Sequence, residues 1–233
     1  MAARTNVQEL DLAENTLRDV NVALKCRHDG EDAAFRVLNP KGAHALACGL
    51  DRPVQVEIAG NVGYYCAGMN QQATVVVDGS AGPGVAENMM SGLVHVKGDA
   101  SQSAGATAHG GLLVIDGNAS ARCAISLKGA DIVVKGNVGH MSAFMAQAGR
   151  LVVLGDAGDA LGDSLYEARL YVLGEVKSLG ADCIEKEMRQ EHLDELQTLL
   201  DRADCTGVEA SRFRRYGSAR TLYNFHADNL DAY

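Results

Sequence analysis

Glycine returns every nineteen residues, without slippage, at Gly60, Gly79, Gly98, Gly117, Gly136, Gly155 and Gly174. A fixed period of this length defines a solenoid, because each period is one coil that cannot bury its own apolar face and must stack on its neighbours. Two other columns keep the same step. Seven residues after the glycine stand Ala67, Ala86, Gly105, Ala124, Ala143 and Gly162; thirteen after it stand Ala73, Gly92, Gly111, Ala130, Gly149 and Ala168. Small residues at three places cut the coil into sides of 7, 6 and 6 residues. That is the pattern of a three-sided prism whose tight corners, the repeating glycines among them, favour little or no side chain.

The last side reads as strand. At offsets fifteen and seventeen lie Val75 and Val77, Val94 and Val96, Leu113 and Ile115, Ile132 and Val134, Leu151 and Val153, Leu170 and Val172. Pairs two residues apart share one face of a strand. Offset two adds a narrow inward column of Val62, Ala81, Ala100, Ala119, Val138 and Ala157. The coil is too short for a helix plus a strand, so the fold class is an all-β solenoid, a parallel β-helix of about seven coils rising roughly 4.8 Å per rung. Just before successive glycines stand Asp78, Lys97, Asp116 and Lys135. Their alternating sign suits neighbouring rungs in register, although each exposed pair is worth at most ~1 kcal/mol.

Composition bounds the function classes. The chain of 233 residues is 47% hydrophobic but has no Trp and 5% aromatic residues, so its core must be built of small aliphatics. A net charge of −9 argues against a nucleic-acid partner, whose recognition rests on neutralising phosphates. No apolar run is long enough to span a membrane and the first residues lack the apolar stretch of a secretion signal, so a cytoplasmic location is expected. Cys26, Cys48, Cys66, Cys123, Cys183 and Cys205 form no close pair of the kind that zinc or iron–sulfur sites need. A first coil of 18 residues, counted from Gly42, would stack Cys48 on Cys66; buried free thiols are the expected state in a reducing compartment.

Three parts follow along the chain. Residues 1–41 form an N-terminal capping segment in which TLRDVNVALKC and AAFRVL alternate as strands do; residues 42–183 carry the repeats. In the third part, 184–233, Ile184, Met188, Leu193, Leu196, Leu199 and Leu200 mark a helical stripe between Ile184 and Ala203 that would cap the open terminal rung. An arm then concentrates Phe213, Arg214, Arg215, Tyr216, Arg220, Tyr223 and Phe225, the residue types that anchor interfaces, and is expected to bind a partner subunit. The seven histidines fall at unrelated offsets and no Ser, His and carboxylate share a column, so no catalytic, cofactor-binding or metal-binding residue is expected. GNVGYYCA and GNVGHMSA look like phosphate loops, but each is followed by strand rather than helix.

The turns GNVGYYCAGMN, GSAGPGVAENM and GNVGHMSAFMA, each followed by a strand, resemble the β-helical (GXGXG) domain that ends the large subunit of glutamate synthase. That domain also stands alone as a subunit of N-methylglutamate synthase and is similar to one chain of formylmethanofuran dehydrogenase; FRRYGSARTLYNF suits the stand-alone version. The resemblance spans about residues 15–225. It implies a right-handed β-helix without cofactor or active site of its own. It also implies a scaffold role between a glutamine amidotransferase-like subunit and a glutamate synthase-like subunit that holds FMN and iron–sulfur clusters. The complex implied is an oxidoreductase or transferase acting on glutamate and an amine such as methylamine. The alternative is a hexapeptide-repeat acyltransferase, also a three-sided β-helix, but that would need an aliphatic residue on every side, and offset five reads Tyr65, Gly84, Ser103, Arg122, Met141 and Ala160.

Overall fold

The computed structural model describes residues 7–26 and 33–221. One sheet runs the length of the molecule through β1 (Val7–Asp11), β2 (Ala34–Leu38), β3 (Gln55–Ile58), β4 (Thr74–Val77), β5 (Leu93–Val96), β6 (Leu112–Ile115), β7 (Lys128–Val134), β8 (Ala148–Val153), β9 (Arg169–Val172), β10 (Cys183–Lys186) and β11 (Arg214–Ser218). Strands β1 to β9 follow one another in parallel, and from β3 onward the register advances by the nineteen-residue period: Gln55 faces Thr74, Thr74 faces Leu93, and Arg150 faces Arg169. A second parallel contact links Val62, Ala81, Ala100, Ala119, Val138, Ala157 and Val176. The parallel β-helix expected from the repeat is the observed fold. The columns at offsets fifteen and seventeen are buried inside the prism, each such aliphatic contributing roughly 1.5–3 kcal/mol by leaving water.

The repeating glycine is needed for a reason other than a strained corner. Of that column only Gly60, at φ +135°, lies in the left-handed region. At Gly117 a Cβ would instead fall 2.4 Å from Asp99 Oδ1 and 2.8 Å from the Gly98 carbonyl oxygen. The obstacle is a hydrogen-bond ladder. Asn61 Oδ1 accepts from the Ser80 amide, Ser80 Oγ from Asp99, Asp99 Oδ1 from Asn118, Asn118 Oδ1 from Asn137, Asn137 Oδ1 from Asp156 and Asp156 Oδ1 from Glu175, at 2.7–3.1 Å. Each small oxygen-bearing side chain occupies the space that the next coil's glycine leaves open. Strain sits elsewhere: Tyr65, Ala67 and Met69 have φ of 60°, 53° and 56°. Such residues cost about 1–2 kcal/mol each. Amides bridging rungs here, such as Tyr65 to the Pro83 carbonyl and Ala86 to that of Cys66, offset the cost.

Both ends depart from the sequence expectation. TLRDVNVALKC is not a strand but helix α1 (Leu17–Lys25), capped by Thr16, whose Oγ1 accepts from the Asp19 amide. Val20 and Leu24 are buried in the lower mouth of the prism, whereas Val22 is 53% exposed. The residues fit both periods, and Val22 decides for the helix. Asn21 fastens α1 to the first coil, donating to the Ala45 carbonyl and accepting from the Ala47 amide. The first coil also runs in a different register: Leu46, not Cys48, holds the rung position that matches Cys66, while Cys48 stays near the Cys66 thiol and donates its S–H to the Tyr65 carbonyl at 2.6 Å. All six thiols are free.

At the other end the stretch from Ile184 begins as β10, and helix α2 spans only Gln190–Arg202. It does not cap the terminal rung. Leu196, Leu199 and Leu200 lie on the outer face of the sheet against Leu112, Val114, Val133, Val152 and Tyr171. The terminal rung is closed by β11, which inserts antiparallel between β9 and β10.

Candidate functional site

The upper end gathers the charged residues that the repeat cannot place. Offset fourteen supplies Asp131, Arg150 and Arg169 on successive strands β7, β8 and β9. Arg150 grips Asp131 with two hydrogen bonds of 2.6 and 3.0 Å, Arg202 of α2 approaches Asp131 at 3.4 Å, and Arg169 pairs with Glu195 of α2 at 2.5 Å. The Tyr171 hydroxyl also donates to Glu195. Burial pushes the Glu195 carboxyl up, yet these hydrogen bonds and the neighbouring arginines outweigh it and hold the group below the usual glutamate range. This network clamps α2 to the sheet.

Beside it a cleft of about 280 Å³ opens between β9, β10, β11 and the first turn of α2. Arg169, Lys186, Arg189, His192, Arg215 and Arg220 line it, with Glu167 on the same wall. Three of the cations have acidic partners: Arg169 with Glu195, Arg189 with Glu187 at 3.2 Å, and Arg220 with Glu167 at 2.8 Å. Lys186 and Arg215 stand directly opposite each other on β10 and β11, and neither is ion-paired to an acid among the described residues. Among the described residues the Arg215 side chain makes one hydrogen bond, Nε to the Glu187 carbonyl at 2.9 Å. Burial, together with Arg169 and Arg189, pushes its guanidinium below the ordinary arginine range. Burial first, then Arg215 and Arg169, also lower His192, favouring its neutral form.

The structure divides the arm expected to bind a partner. Phe213 is buried against α2 and Tyr216 inside the prism, so neither presents itself to another chain. Arg214 donates to the Gly174 carbonyl at 2.8 Å. Arg215 and Arg220 enter the cleft. Tyr223 and Phe225 lie outside the described residues. The alternation of β11 separates inward Tyr216 from outward Arg215. Arg169 was findable from its column; Lys186 and Arg189 were not, because the antiparallel register of β10 and β11 leaves no periodic trace.

A second exposed feature lies on the left-handed edge of the lower coils. Tyr64 stacks on His44 with ring centroids 3.6 Å apart and meets Tyr65 edge-on at 5.4 Å. Tyr64, Tyr65 and Met69 are 44%, 47% and 53% exposed. Among the described residues no three His, Cys, Asp or Glu side chains gather as a metal site, and no helix is long and apolar enough to cross a membrane. Burial pushes the Cys123 and Cys183 thiols up to about 12, away from the reactive thiolate.

Fold and surface together define a glycine-spaced β-solenoid with a sealed aliphatic interior and its chemistry on the outside. A protein-family model described as GXGXG motif matches residues 107–209. Protein GlxC of Rhizobium meliloti (strain 1021) is 66% identical over 225 residues, covering 96% of this chain and 99% of that protein. The chain belongs to the GXGXG family, that of the C-terminal domain of the glutamate synthase large subunit, and is a glutamate synthase-like subunit.

Proposed function

We propose that this chain is a non-catalytic scaffold subunit that joins a glutamine amidotransferase-like subunit to a flavin- and iron–sulfur-carrying subunit, N-methylglutamate synthase being the complex it fits best. In this reading FMN and the clusters reside in the partner and the chain itself holds no cofactor. The observation that carries it is the patch of Tyr64, Tyr65 and Met69. Other coils place Gly84, Ser103, Arg122, Met141 and Ala160 at the left-handed position of Tyr65, whereas this rung carries a large ring that stays 47% exposed beside the exposed Tyr64 and Met69. Tyr and Met are enriched where subunits meet. The sealed prism supports the reading by supplying a stiff body along which two partners can be held.

Affinity purification of the chain from its native host, with identification of what elutes beside it, tests this. Recovery of a yellow iron–sulfur protein and an amidotransferase-like protein is the expected result. Both should be depleted when Tyr64→Ser and Tyr65→Ser are combined in a chain that still melts normally. Elution as a lone homotrimer with acyltransferase activity would overturn the scaffold reading in favour of the hexapeptide-repeat class.

A further inference from the structure

We propose that the cleft between β9, β10, β11 and the start of α2 binds a small oxyanion carrying two negative charges, a dicarboxylate or a phosphate, held by Lys186, Arg189 and Arg215. The inference is independent of the scaffold reading.

The central observation is the direct pairing of Lys186 with Arg215 across antiparallel strands. Like charges placed opposite each other destabilise a sheet, and sequences ordinarily avoid the arrangement. Here it closes the last rung of a protein whose net charge is −9, so cations are scarce and acids abundant. Even so, no acid among the described residues forms an ion pair with either member, although Glu187, one residue from Lys186, pairs with Arg189. Burial foremost, and then the charges of Arg169 and Arg189, lower the basicity of Arg215. The first turn of α2 faces the cleft through Arg189 and His192, adding the positive end of a 13-residue helix.

The chemistry of the lining limits the ligand. Arg189 and Arg215 present planar forks, which match the paired oxygens of a carboxylate or phosphate, and Lys186 supplies a compact third charge. Neutral His192, whose Nδ1 accepts from the Arg189 amide at 3.1 Å, carries its proton on Nε2 and can donate one hydrogen bond without adding repulsion. Glu167 and Arg220, joined at 2.8 Å, balance each other on the same wall, leaving a net site charge that suits a dianion better than a monoanion. A cleft of about 280 Å³ admits a small molecule. Succinate and inorganic phosphate therefore represent the two sources of the same dianionic chemistry, and titration with each distinguishes them.

The test is calorimetric titration of the full chain at low ionic strength with succinate, inorganic phosphate and acetate, paired with melting curves. At least one dianion should bind with a Kd below about 1 mM, and acetate at least tenfold more weakly. Lys186→Gln should weaken the dianion at least tenfold. It should also raise the melting temperature of the ligand-free chain, because it removes the repulsion that the ligand otherwise screens. Arg189→Gln should weaken binding similarly, while Lys97→Gln, on an exposed pair with Asp78, should leave it unchanged. Absence of saturable binding by both dianions, or equal binding by the Lys186→Gln chain, would overturn the proposal. So would binding that appears only when Asp228→Asn and Asp231→Asn are introduced, since the chain's own acidic tail would then be the occupant.

Discussion

The outer face of the sheet has two halves built on one backbone. Along offset sixteen the lower half presents Arg36, Glu57, Val76 and His95 to water, and the upper half presents Val114, Val133, Val152 and Tyr171 to helix α2. Inside the prism the two halves are alike, with the same aliphatic columns buried to the same degree. Outside, the lower half is bridged by exposed pairs such as Arg36 with Glu57 at 3.7 Å, and the upper half by the Asp131, Arg150, Arg169 and Glu195 network beneath a helix. The repeat therefore specifies the prism and leaves its covering to a single column. Four consecutive apolar residues at that column are enough to recruit a helix.

The largest expected effect disregards the division. Gly117→Val places side-chain atoms where Asp99 Oδ1 sits 2.4 Å away, parting rungs shared by both halves. We expect a loss of about 4 kcal/mol or more in urea unfolding. A loss under about 1 kcal/mol would mean that the ladder yields easily and is no common frame. Next, Leu199→Ala removes a fully packed side chain from the covered half only. About 2–5 kcal/mol should be lost, read from the same transition, with hydrogen exchange rising on β6 to β9 and unchanged on β3 to β5. Equal exchange in the two halves would show that α2 does not divide the face.

Acid gives a smaller and signed difference. Because the folded Glu195 titrates below the ordinary value of 4.5, the unfolded chain binds its proton more readily. Its contribution is fully present above 4.5 and fades as the pH falls through the lower folded value. Unfolding free energy measured from roughly pH 6 downward should lose this step in Glu195→Gln, while the part due to the likewise lowered Asp116 remains. A wild-type acid limb identical to that of the variant would remove Glu195 from the clamp. The smallest effect belongs to the bare half: Arg36→Gln, breaking a pair whose side chains are 45% and 47% exposed, should shift stability by less than about 0.5 kcal/mol. A loss above about 1 kcal/mol would give the uncovered face an energetic role that it lacks here.

Most of the prism was legible because parallel rungs repeat in sequence whatever they repeat in space. Val75, Val94 and Leu113 are neighbours in the core for the same reason that they are nineteen residues apart. The sequence also contained the ladder of Asn61, Ser80, Asp99, Asn118, Asn137 and Asp156, but a polar column beside a glycine reads as loop until its oxygens are seen to serve the next rung. Helix α1 was masked by Val20, Val22 and Leu24, which satisfy a strand's alternation; Thr16 and Asp19 were the contrary signal. The cleft was half legible. Arginines at 214, 215 and 220 marked its chain segment, but their partners come from β10 and α2, whose approach depends on an antiparallel closure that happens once and so has no period to read.

That closure fixes an order of events during synthesis. Strand β10 emerges from the ribosome before β11, yet β11 is the strand that pairs with β9. Until residue 218 has been translated, the upper edge of β9 is unpaired, β10 has nothing to rest on, and Lys186 has no Arg215 across from it. A chain cut short between Arg202 and Arg214 would keep nearly the whole prism and lose its lid. Such a fragment would display an unpaired sheet edge to its neighbours, a template for edge-to-edge aggregation. Strand β11 is thus a completion mark, and anything that recognises the finished upper end is also recognising a chain translated at least as far as Ser218.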